Sequence, residues 1–458
     1  MTTATVVGAG LAGCECAWQL AEHGIDVKLI EQRPVSTTPA HQTDLFGELI
    51  CSNSLRANRP AKAVGCLKLE LGFCGSIVLQ MAEKHRVPAG VSLAVDRDAF
   101  ALELTKVISS HDRIKVVREH CDAVPSDRPC VIATGPLTSD DLATDLSRLV
   151  GSDALHYYDA IAPVVAARSI EWDRVFRQSR YARSDVDAAP DQQEANARDH
   201  GDYINCPLDR EQYESFVAAL LEAAQIKPRS FEQIPYFEAC LPIEVMAERG
   251  LKTLAFGPMK PVGLVDPGTG KRPYAVVQLR AENLAQTAFN MVGFQTRLTR
   301  PEQKRIFRMI PGLAEAEFLR WGSIHRNTFV DAPLALDETL QLKNEPGVYL
   351  AGQIAGVEGY TESIACGLMC GLMLAYSLHG HKLARPPVTS TLGGLLNHLT
   401  RVDVPFQPSN ITWAHVPPIE GRMPKQVRDV SMAERAWNAL VEWRLSSSDA
   451  EVLDGTIE

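Results

Sequence analysis

Residues 3–13 read TATVVGAGLAG, and this stretch decides the fold. The β-branched run over residues 3–7 predicts a short buried strand, and an apolar helical pattern follows over residues 12–23. A second strand is predicted over residues 27–30, which completes a βαβ unit. The glycines therefore lie between a strand and the helix that it enters, where a dinucleotide-binding turn requires them.

This turn is expected to hold the pyrophosphate of a dinucleotide cofactor. Gly8 permits the tight turn, Gly10 lets the backbone approach a phosphate, and Gly13 lets the helix pack closely on the strand. The first N–H groups of the helix add positive potential for the phosphates. Glu31 stands 23 residues after Gly8, where its carboxylate can accept hydrogen bonds from a ribose diol. The predicted cofactor contacts in the turn are Gly8, Ala9, Gly10, Leu11, Ala12 and Gly13.

A second glycine-rich segment, LAGQIAGVEGYTE at residues 350–362, indicates that the cofactor is FAD rather than NAD. It combines a predicted strand over residues 348–351, a glycine turn and a helix over residues 362–377. In two-part FAD folds such a return covers the isoalloxazine and ribityl parts of the cofactor. Gly367 and Gly371 are expected to serve helix packing instead. The further predicted cofactor contacts are Gly135 in an Ala-Thr-Gly triplet at a strand end, Gly352, Gln353, Gly356, Gly359 and Tyr360.

The bulk composition predicts a reduced, cytoplasmic globular protein of two domains. Its 458 residues exceed one ordinary core, and 45% hydrophobic with 22% charged residues argues against disorder. No apolar run reaches the roughly 18 residues of a membrane span, and the start lacks the charged region of a signal peptide. The 11 cysteines form no CxxC pair, so we expect no metal site. A net charge of −10 requires any RNA site to be a local basic patch.

The pattern along the chain predicts an α/β fold, namely a doubly wound FAD-binding domain of the glutathione-reductase-like kind with an inserted α+β domain. The first domain continues with a helix over residues 100–110 and strands over residues 114–117 and 130–133. The acidic stretch 185–202 is expected to be an exposed loop. In the insertion we predict strands over residues 274–279 and 291–294 and helices over residues 212–224 and 302–309; two more helices, at residues 392–400 and 432–444, close the chain. The predicted division is 1–165 and 322–458 for the two parts of the FAD-binding domain and 166–321 for the insertion.

Several long strings go beyond a generic flavoprotein. They include PAHQTDLFGELICSNSLRAN at 39–58, FGPMKPVGLVDPGTGKRPYAVVQLR at 256–280, HRNTFV at 325–330 and GQIAGVEGYTESIACGL at 352–368. Together they resemble the methylenetetrahydrofolate- and FAD-dependent tRNA (uracil-5-)-methyltransferases over nearly the whole chain. The resemblance implies that methylenetetrahydrofolate donates a carbon to C5 of a tRNA uridine, with reduced FAD as carrier and NADPH or NADH as reductant.

This chemistry needs reactive thiols, because C5 of uracil is a weak nucleophile until a thiolate adds at C6. A base must then remove the C5 proton. Cys51 in ICSNS and Cys240 in EACLP match the family's motifs, and the sequence leaves open which thiol has which role. The other expected substrate contacts are Lys260, His325, Arg326 and Asn327.

RNA phosphates are expected at a basic segment, residues 297–308, whose net charge is +4. Arg300, Lys304 and Arg308 recur at helical spacing on one face, with Arg297 before them, although a solvated face explains the same pattern. Alternative functions are ribosomal-RNA uridine methylation by the same chemistry, a different FAD-dependent tRNA uridine modification, or an oxidoreductase. A disulfide reductase would need a closely spaced cysteine pair, which the sequence lacks. The oligomeric state stays open.

Overall fold

The computed structural model describes most of the chain. The described residues are 3–38, 40–151, 155–180, 201–226, 241–402 and 406–448, with the backbone alone described at 155–160 and 324–326. Of the predicted loop over residues 185–202, all but the last two residues lie outside these ranges.

Sixteen strands lie within the described residues. In chain order they are β1 (Thr3–Val7), β2 (Asp26–Glu31), β3 (Ser54–Ala57), β4 (Arg86–Val87), β5 (Ser92–Val95), β6 (Ile114–Arg118), β7 (Cys130–Ile132), β8 (Leu155–Ile161), β9 (Val164–Ala166), β10 (Phe176–Arg177), β11 (Tyr203–Leu208), β12 (Ala275–Ala281), β13 (Ala288–Met291), β14 (Phe318–Arg320), β15 (Ser323–Phe329) and β16 (Val348–Leu350).

Thirteen α-helices connect or cover these strands in the described part of the chain. They are α1 (Leu11–Glu22), α2 (Ala63–Phe73), α3 (Ile77–Lys84), α4 (Arg97–Ser109), α5 (Asp140–Val150), α6 (Arg210–Glu222), α7 (Ile243–Glu248), α8 (Thr253–Phe256), α9 (Arg300–Phe307), α10 (Ala332–Ala335), α11 (Tyr360–Leu378), α12 (Thr391–Thr400) and α13 (Lys425–Ser448).

The first domain is built on a five-stranded parallel sheet with the order β16-β7-β1-β2-β6. Its central strand β1 is buried from its second residue onward, because sheet neighbours lie on both sides and helices cover it. The strand order reverses between β1 and β7, and this switch point at the carboxyl ends of the strands is where open α/β sheets bind ligands. The predicted doubly wound α/β fold is therefore confirmed.

Helix α11 forms the centre of this domain and packs against α1. It has the length and mean hydropathy of a membrane span, yet 83% of its apolar window is buried inside the protein. Added Cβ atoms at Gly367 and Gly371 would lie 2.3 Å from the carbonyl oxygen of Ala12 and 2.9 Å from that of Cys16. These two glycines therefore allow close contact between α11 and α1, as the sequence predicts.

The second domain contains a six-stranded sheet with the order β10-β11-β12-β13-β9-β14 and its own hydrophobic core. The strand predicted over residues 291–294 is displaced, because β13 already ends at Met291. Gly293, at φ 76°, turns the chain immediately afterwards, and a periodicity of two cannot register this turn. The sheet strands run from Val164 to Arg320, so the exact division at 165/166 and 321/322 stays a prediction.

Two small sheets lie beside the large ones. The antiparallel pair β8 and β15 leads the chain from the first domain into the second and back again. The three-stranded sheet has the order β3-β5-β4 and carries the segment that follows Cys51.

Candidate active site

Four chain segments meet at the carboxyl edge of the five-stranded sheet, because the strands that they follow are parallel. Gly8 follows β1, Glu31 ends β2, Thr134 comes shortly after β7, and Gly352 comes shortly after β16. A cleft of about 580 Å³ is lined by Gly8, Gly10, Glu31 and Thr134, among others.

The glycines of the first turn are shaped for a bound phosphate group. Gly8 has φ 99°, and a Cβ there would lie 2.7 Å from the carbonyl oxygen of Ala133. A Cβ on Gly13 would lie 1.8 Å from the carbonyl oxygen of Gly8. Around Gly10, in contrast, no atom lies within 4 Å of the position of a Cβ. This open space at the start of α1 fits the close approach of a pyrophosphate.

Glu31 orders the turn from the end of β2. Its Oε2 accepts the N–H of Ala9 at 2.9 Å, and its Oε1 accepts the backbone N–H and the Nε of Arg33 at 3.0 and 2.8 Å. Burial alone would raise the pKa of the Glu31 carboxyl, but the hydrogen bonds and the charge of Arg33 hold it below its usual value. The carboxylate is therefore ionised and lines the cleft, while its contact with a ribose stays a prediction.

The second glycine turn approaches the same cleft from the C-terminal part of the domain. Gly352, Gly356 and Gly359 have φ values of 79°, 91° and 105°, which only glycine adopts without strain. A Cβ on Gly352 would lie 2.6 Å from the Cβ of Ala12, so this turn lies directly on the start of α1. Gln353 donates to the carboxylate of Glu358 at 2.8 Å within the turn.

Gly135 opens a 3-10 turn, Gly135–Leu137, after β7. It has φ 68°, and no atom lies within 4 Å of the position of a Cβ there. The strand β15 packs against this turn and also approaches the second glycine turn. The turn thus links the cleft to the strand pair that joins the domains.

Cys51 lies in the loop before β3. Its N–H donates to the hydroxyl oxygen of Tyr360 at 2.8 Å. Tyr360 is the first residue of α11, and through this hydrogen bond it contacts the loop that carries Cys51. Cys51 and Leu137 both pack against the small cluster of Ala40, Ile50 and Ile161, and Leu137 also lines the cleft. The half-buried Cys51 thus shares this small cluster with a residue that lines the cleft.

Two arginines flank the Cys51 loop and interact electrostatically with Cys51. Arg97 donates to the carbonyl oxygen of Leu49 and forms an ion pair with Glu282 at 2.8 Å. Arg320 donates to the carbonyl oxygen of Ala40 at 3.0 Å, and burial lowers the pKa of its guanidinium. Positive charge of this kind stabilises a thiolate. Sequence reasoning missed both arginines, although Arg97 lies in the string VDRDAF.

The remaining motif residues are placed only in part. Cys240 lies outside the described residues, and His325 and Arg326 are described by their backbone alone, on β15. The side chain of Asn327 is buried, and its Nδ2 has no hydrogen-bond acceptor among the described residues. Lys260 is half-buried in the second domain, beyond α8.

The predicted RNA patch is divided in the structure. Arg297 is largely buried, with its guanidinium 3.7 Å from the carboxylate of Glu244 and 3.6 Å from that of Glu248. The charge of Arg297 is therefore paired with carboxylates of the protein itself. The guanidinium of Arg308 donates to the carbonyl oxygen of Ala316 at 2.9 Å.

Arg300 and Lys304 are exposed and stand one turn apart on α9. Arg305 in the same basic segment is exposed as well, but its guanidinium pairs with the carboxylate of Glu302.

The parallel sheet, the two glycine turns and the cleft at the carboxyl edge of the sheet define an FAD-binding protein of the two-part α/β class. A family model described as glucose inhibited division protein A matches residues 3–382. A relative from Syntrophotalea carbinolica is 51% identical over 96% of this chain and 93% of its own length. A relative from Geobacter sulfurreducens is 50% identical over 96% of this chain and 98% of its own length. Both are named methylenetetrahydrofolate--tRNA-(uracil-5-)-methyltransferase TrmFO.

The chain belongs to the glucose inhibited division protein A family and, within it, to the TrmFO group, which confirms the resemblance found in the sequence. Among solved structures, GidA from Aquifex aeolicus in its form II crystal matches 99% of this chain and 75% of that chain. The TM-score is 0.66 at 14% sequence identity, so this match supports the fold alone.

Proposed function

We propose that the protein is a folate-dependent methyltransferase that makes 5-methyluridine in tRNA, with methylenetetrahydrofolate as the carbon donor and NADPH or NADH as the reductant. The names of relatives at about half identity over nearly the full chain support this activity and its tRNA substrate. They do not favour ribosomal RNA or an unrelated oxidoreductase reaction.

FAD fits the cleft that the first domain provides. The N–H groups at the start of α1 would bind the pyrophosphate above Gly10, and Glu31 would face the ribose. The second glycine turn, from Gly352 to Gly359, would lie along the flavin end of the cofactor. The buried Nδ2 of Asn327, with no acceptor among the described residues, is a donor available on the strand that packs against this part of the cleft. When bound and reduced, FAD supplies the carrier for the folate carbon.

The observation that carries the proposal is that Cys51 packs against the same small cluster as Leu137, a residue that lines the proposed cofactor cleft. One motif thiolate, of Cys51 or of Cys240, adds to C6 of the uracil, and the π electrons of the C5–C6 bond move toward C5 and O4. C5 then forms its bond to the transferred methylene carbon, whose bond to its carrier nitrogen breaks, and a hydride that originates from NADPH or NADH reduces this carbon to methyl. The other motif cysteine, as its thiolate, takes the C5 proton, and the C5–C6 double bond returns as the first sulfur leaves C6. The charges of Arg97 and Arg320 stabilise the thiolate form that either role of Cys51 requires.

The tRNA is proposed to contact Arg300 and Lys304 through its phosphates, because these two cations are exposed on one helix face of an otherwise acidic protein. We also propose a cytoplasmic location, where tRNA, folate and reduced nicotinamide nucleotides are available together.

The test is the formation of 5-methyluridine in an unmodified tRNA transcript with labelled methylenetetrahydrofolate and NADPH. Cys51→Ala is expected to abolish the product while FAD stays bound, because the sulfur takes part in the reaction and not in cofactor binding. Cys206→Ala is the matched control, since it removes a buried thiol of the second domain far along the chain from the cleft. Wild-type rates in Cys51→Ala would contradict the thiol mechanism, and labelling of ribosomal RNA but not tRNA would contradict the substrate.

A further inference from the structure

Arg280 reaches from the second domain into the loop that carries Cys51. It is the penultimate residue of β12, and only 6% of it is exposed. Its Nε donates to Oδ1 of Asn53 at 2.9 Å, and a terminal nitrogen donates to Oγ of Ser52 at 3.1 Å. One planar guanidinium therefore holds the two residues that directly follow Cys51.

Asn53 extends this connection into both domains. It is fully buried, and its Nδ2 donates to the carbonyl oxygens of Val95 on β5 and Ala281 on β12, both at 2.9 Å. Its Oδ1 accepts from Arg280, so oxygen and nitrogen are both used. The amide has a single orientation that satisfies all three partners.

Burial of the Arg280 guanidinium costs desolvation free energy that these contacts only partly offset. Its two hydrogen bonds to the loop go to uncharged oxygens, and the nearby carboxylate of Glu282 is paired with Arg97 at 2.8 Å. Burial accordingly lowers the pKa of Arg280. A well-packed apolar side chain often stabilises such a position equally well. What arginine adds is a rigid fork that fixes two acceptors at once.

We propose that Arg280 is a positioning residue for Cys51, acting through Ser52 and Asn53. Tyr360 holds the N–H of Cys51 and of Ser52 from the first domain, at 2.8 and 3.2 Å. Arg280 holds the next side chains from the second domain. The loop that carries Cys51 is thus held jointly by both domains. This inference rests on the proposed role of Cys51.

The test is Arg280→Lys in the full-length holoenzyme, because lysine keeps the charge and loses the two-pronged geometry. We expect kcat for tRNA methylation to fall about tenfold or more, since small displacements of a reacting group have effects of this size. The KM for tRNA and the FAD content should stay within about twofold of wild type, because neither contact is altered. The rate at which iodoacetamide alkylates Cys51, followed by peptide mass spectrometry, should change about threefold or more relative to Cys121.

Two further variants make the result unambiguous. Arg168→Lys is the matched control, because the same substitution there affects only an exposed pair with Glu317 and should change neither readout. Ser52→Ala removes one acceptor of the fork and should shift the alkylation rate in the same direction, even if Arg280→Lys folds poorly. Alkylation and kcat within about twofold of wild type in both Arg280→Lys and Ser52→Ala would overturn the proposal. Full activity of Cys51→Ala would instead overturn the proposed function, and the alkylation result would still stand.

Discussion

The substitution Gly10→Ala at the first glycine turn should weaken FAD binding while it leaves the stability of the apoprotein nearly unchanged. Gly10 has φ −75° and ψ −171°, which alanine also adopts, and an added Cβ meets no atom within 4 Å. Alanine is a poorer N-cap than glycine but loses less chain entropy on folding, and these two effects nearly cancel. The free energy of unfolding of the apoprotein should therefore change by no more than about 1 kcal/mol.

The same methyl group occupies the space that a pyrophosphate needs. We expect FAD affinity to fall about a hundredfold, which corresponds to about 2.8 kcal/mol. Gly13→Ala is the opposite case, because its Cβ would lie 1.8 Å from the carbonyl oxygen of Gly8 and the helix must move. That variant should lower the unfolding temperature of the apoprotein as well as FAD binding.

The assay pairs a titration of apoprotein with FAD, followed by flavin fluorescence, with thermal unfolding without FAD. The reasoning is refuted if Gly10→Ala binds FAD within about twofold of wild type. It is equally refuted if the apoprotein of Gly10→Ala loses as much thermal stability as that of Gly13→Ala.

Two other predictions concern charge. Replacing Arg300 and Lys304 by alanine should weaken tRNA binding and lower the slope of the logarithm of the binding constant against the logarithm of the salt concentration by about 2, as measured by filter binding. Arg297→Ala should instead chiefly destabilise the fold, because it leaves the buried carboxylate of Glu244 without its cation. An unchanged salt slope in the double variant would remove this helix from the RNA site. Burial raises the pKa of Glu70 from 4.5 to about 7, so the folded state binds its proton more tightly than the unfolded state. Stability from this group is complete below pH 4.5 and declines as the pH rises toward 7, by on the order of 3 kcal/mol. Glu70→Gln should remove this decline in unfolding temperature between pH 5 and 7, and parallel curves for both proteins would contradict the assignment.

The glycine turns could be predicted from the sequence because their requirement is local. A turn that brings a helix back onto its own strand needs glycine at fixed spacing, so Gly8 and Gly13 carry the information in a few residues. The doubly wound fold followed from the same segment, since GxGxxG between a strand and a helix is typical of a dinucleotide-binding fold. The thiols Cys51 and Cys240 came from resemblance, because no spacing distinguishes a reactive cysteine from a buried one.

The arginines around Cys51 could not be found in this way. Arg280 and Asn53 are 227 residues apart, and their contact depends on where β12 ends relative to β3 and β5. Arg297 shows the opposite failure, since a basic run on a helical pattern says nothing about the acidic partners that Glu244 and Glu248 provide. In both cases the outcome depends on contacts between residues far apart in the sequence, and a local sequence pattern does not predict such contacts.

The contact of α1 with α11 through Gly367 and Gly371 has a consequence for the cofactor. Each helix carries one of the two glycine turns at its start, and the turns are about 340 residues apart in the chain. Because the backbone of α11 at these glycines lies directly against the backbone and side chains of α1, neither helix can shift without the other. The two glycine turns therefore keep a fixed separation, and a bulkier residue at Gly367 or Gly371 is expected to change the distance between them.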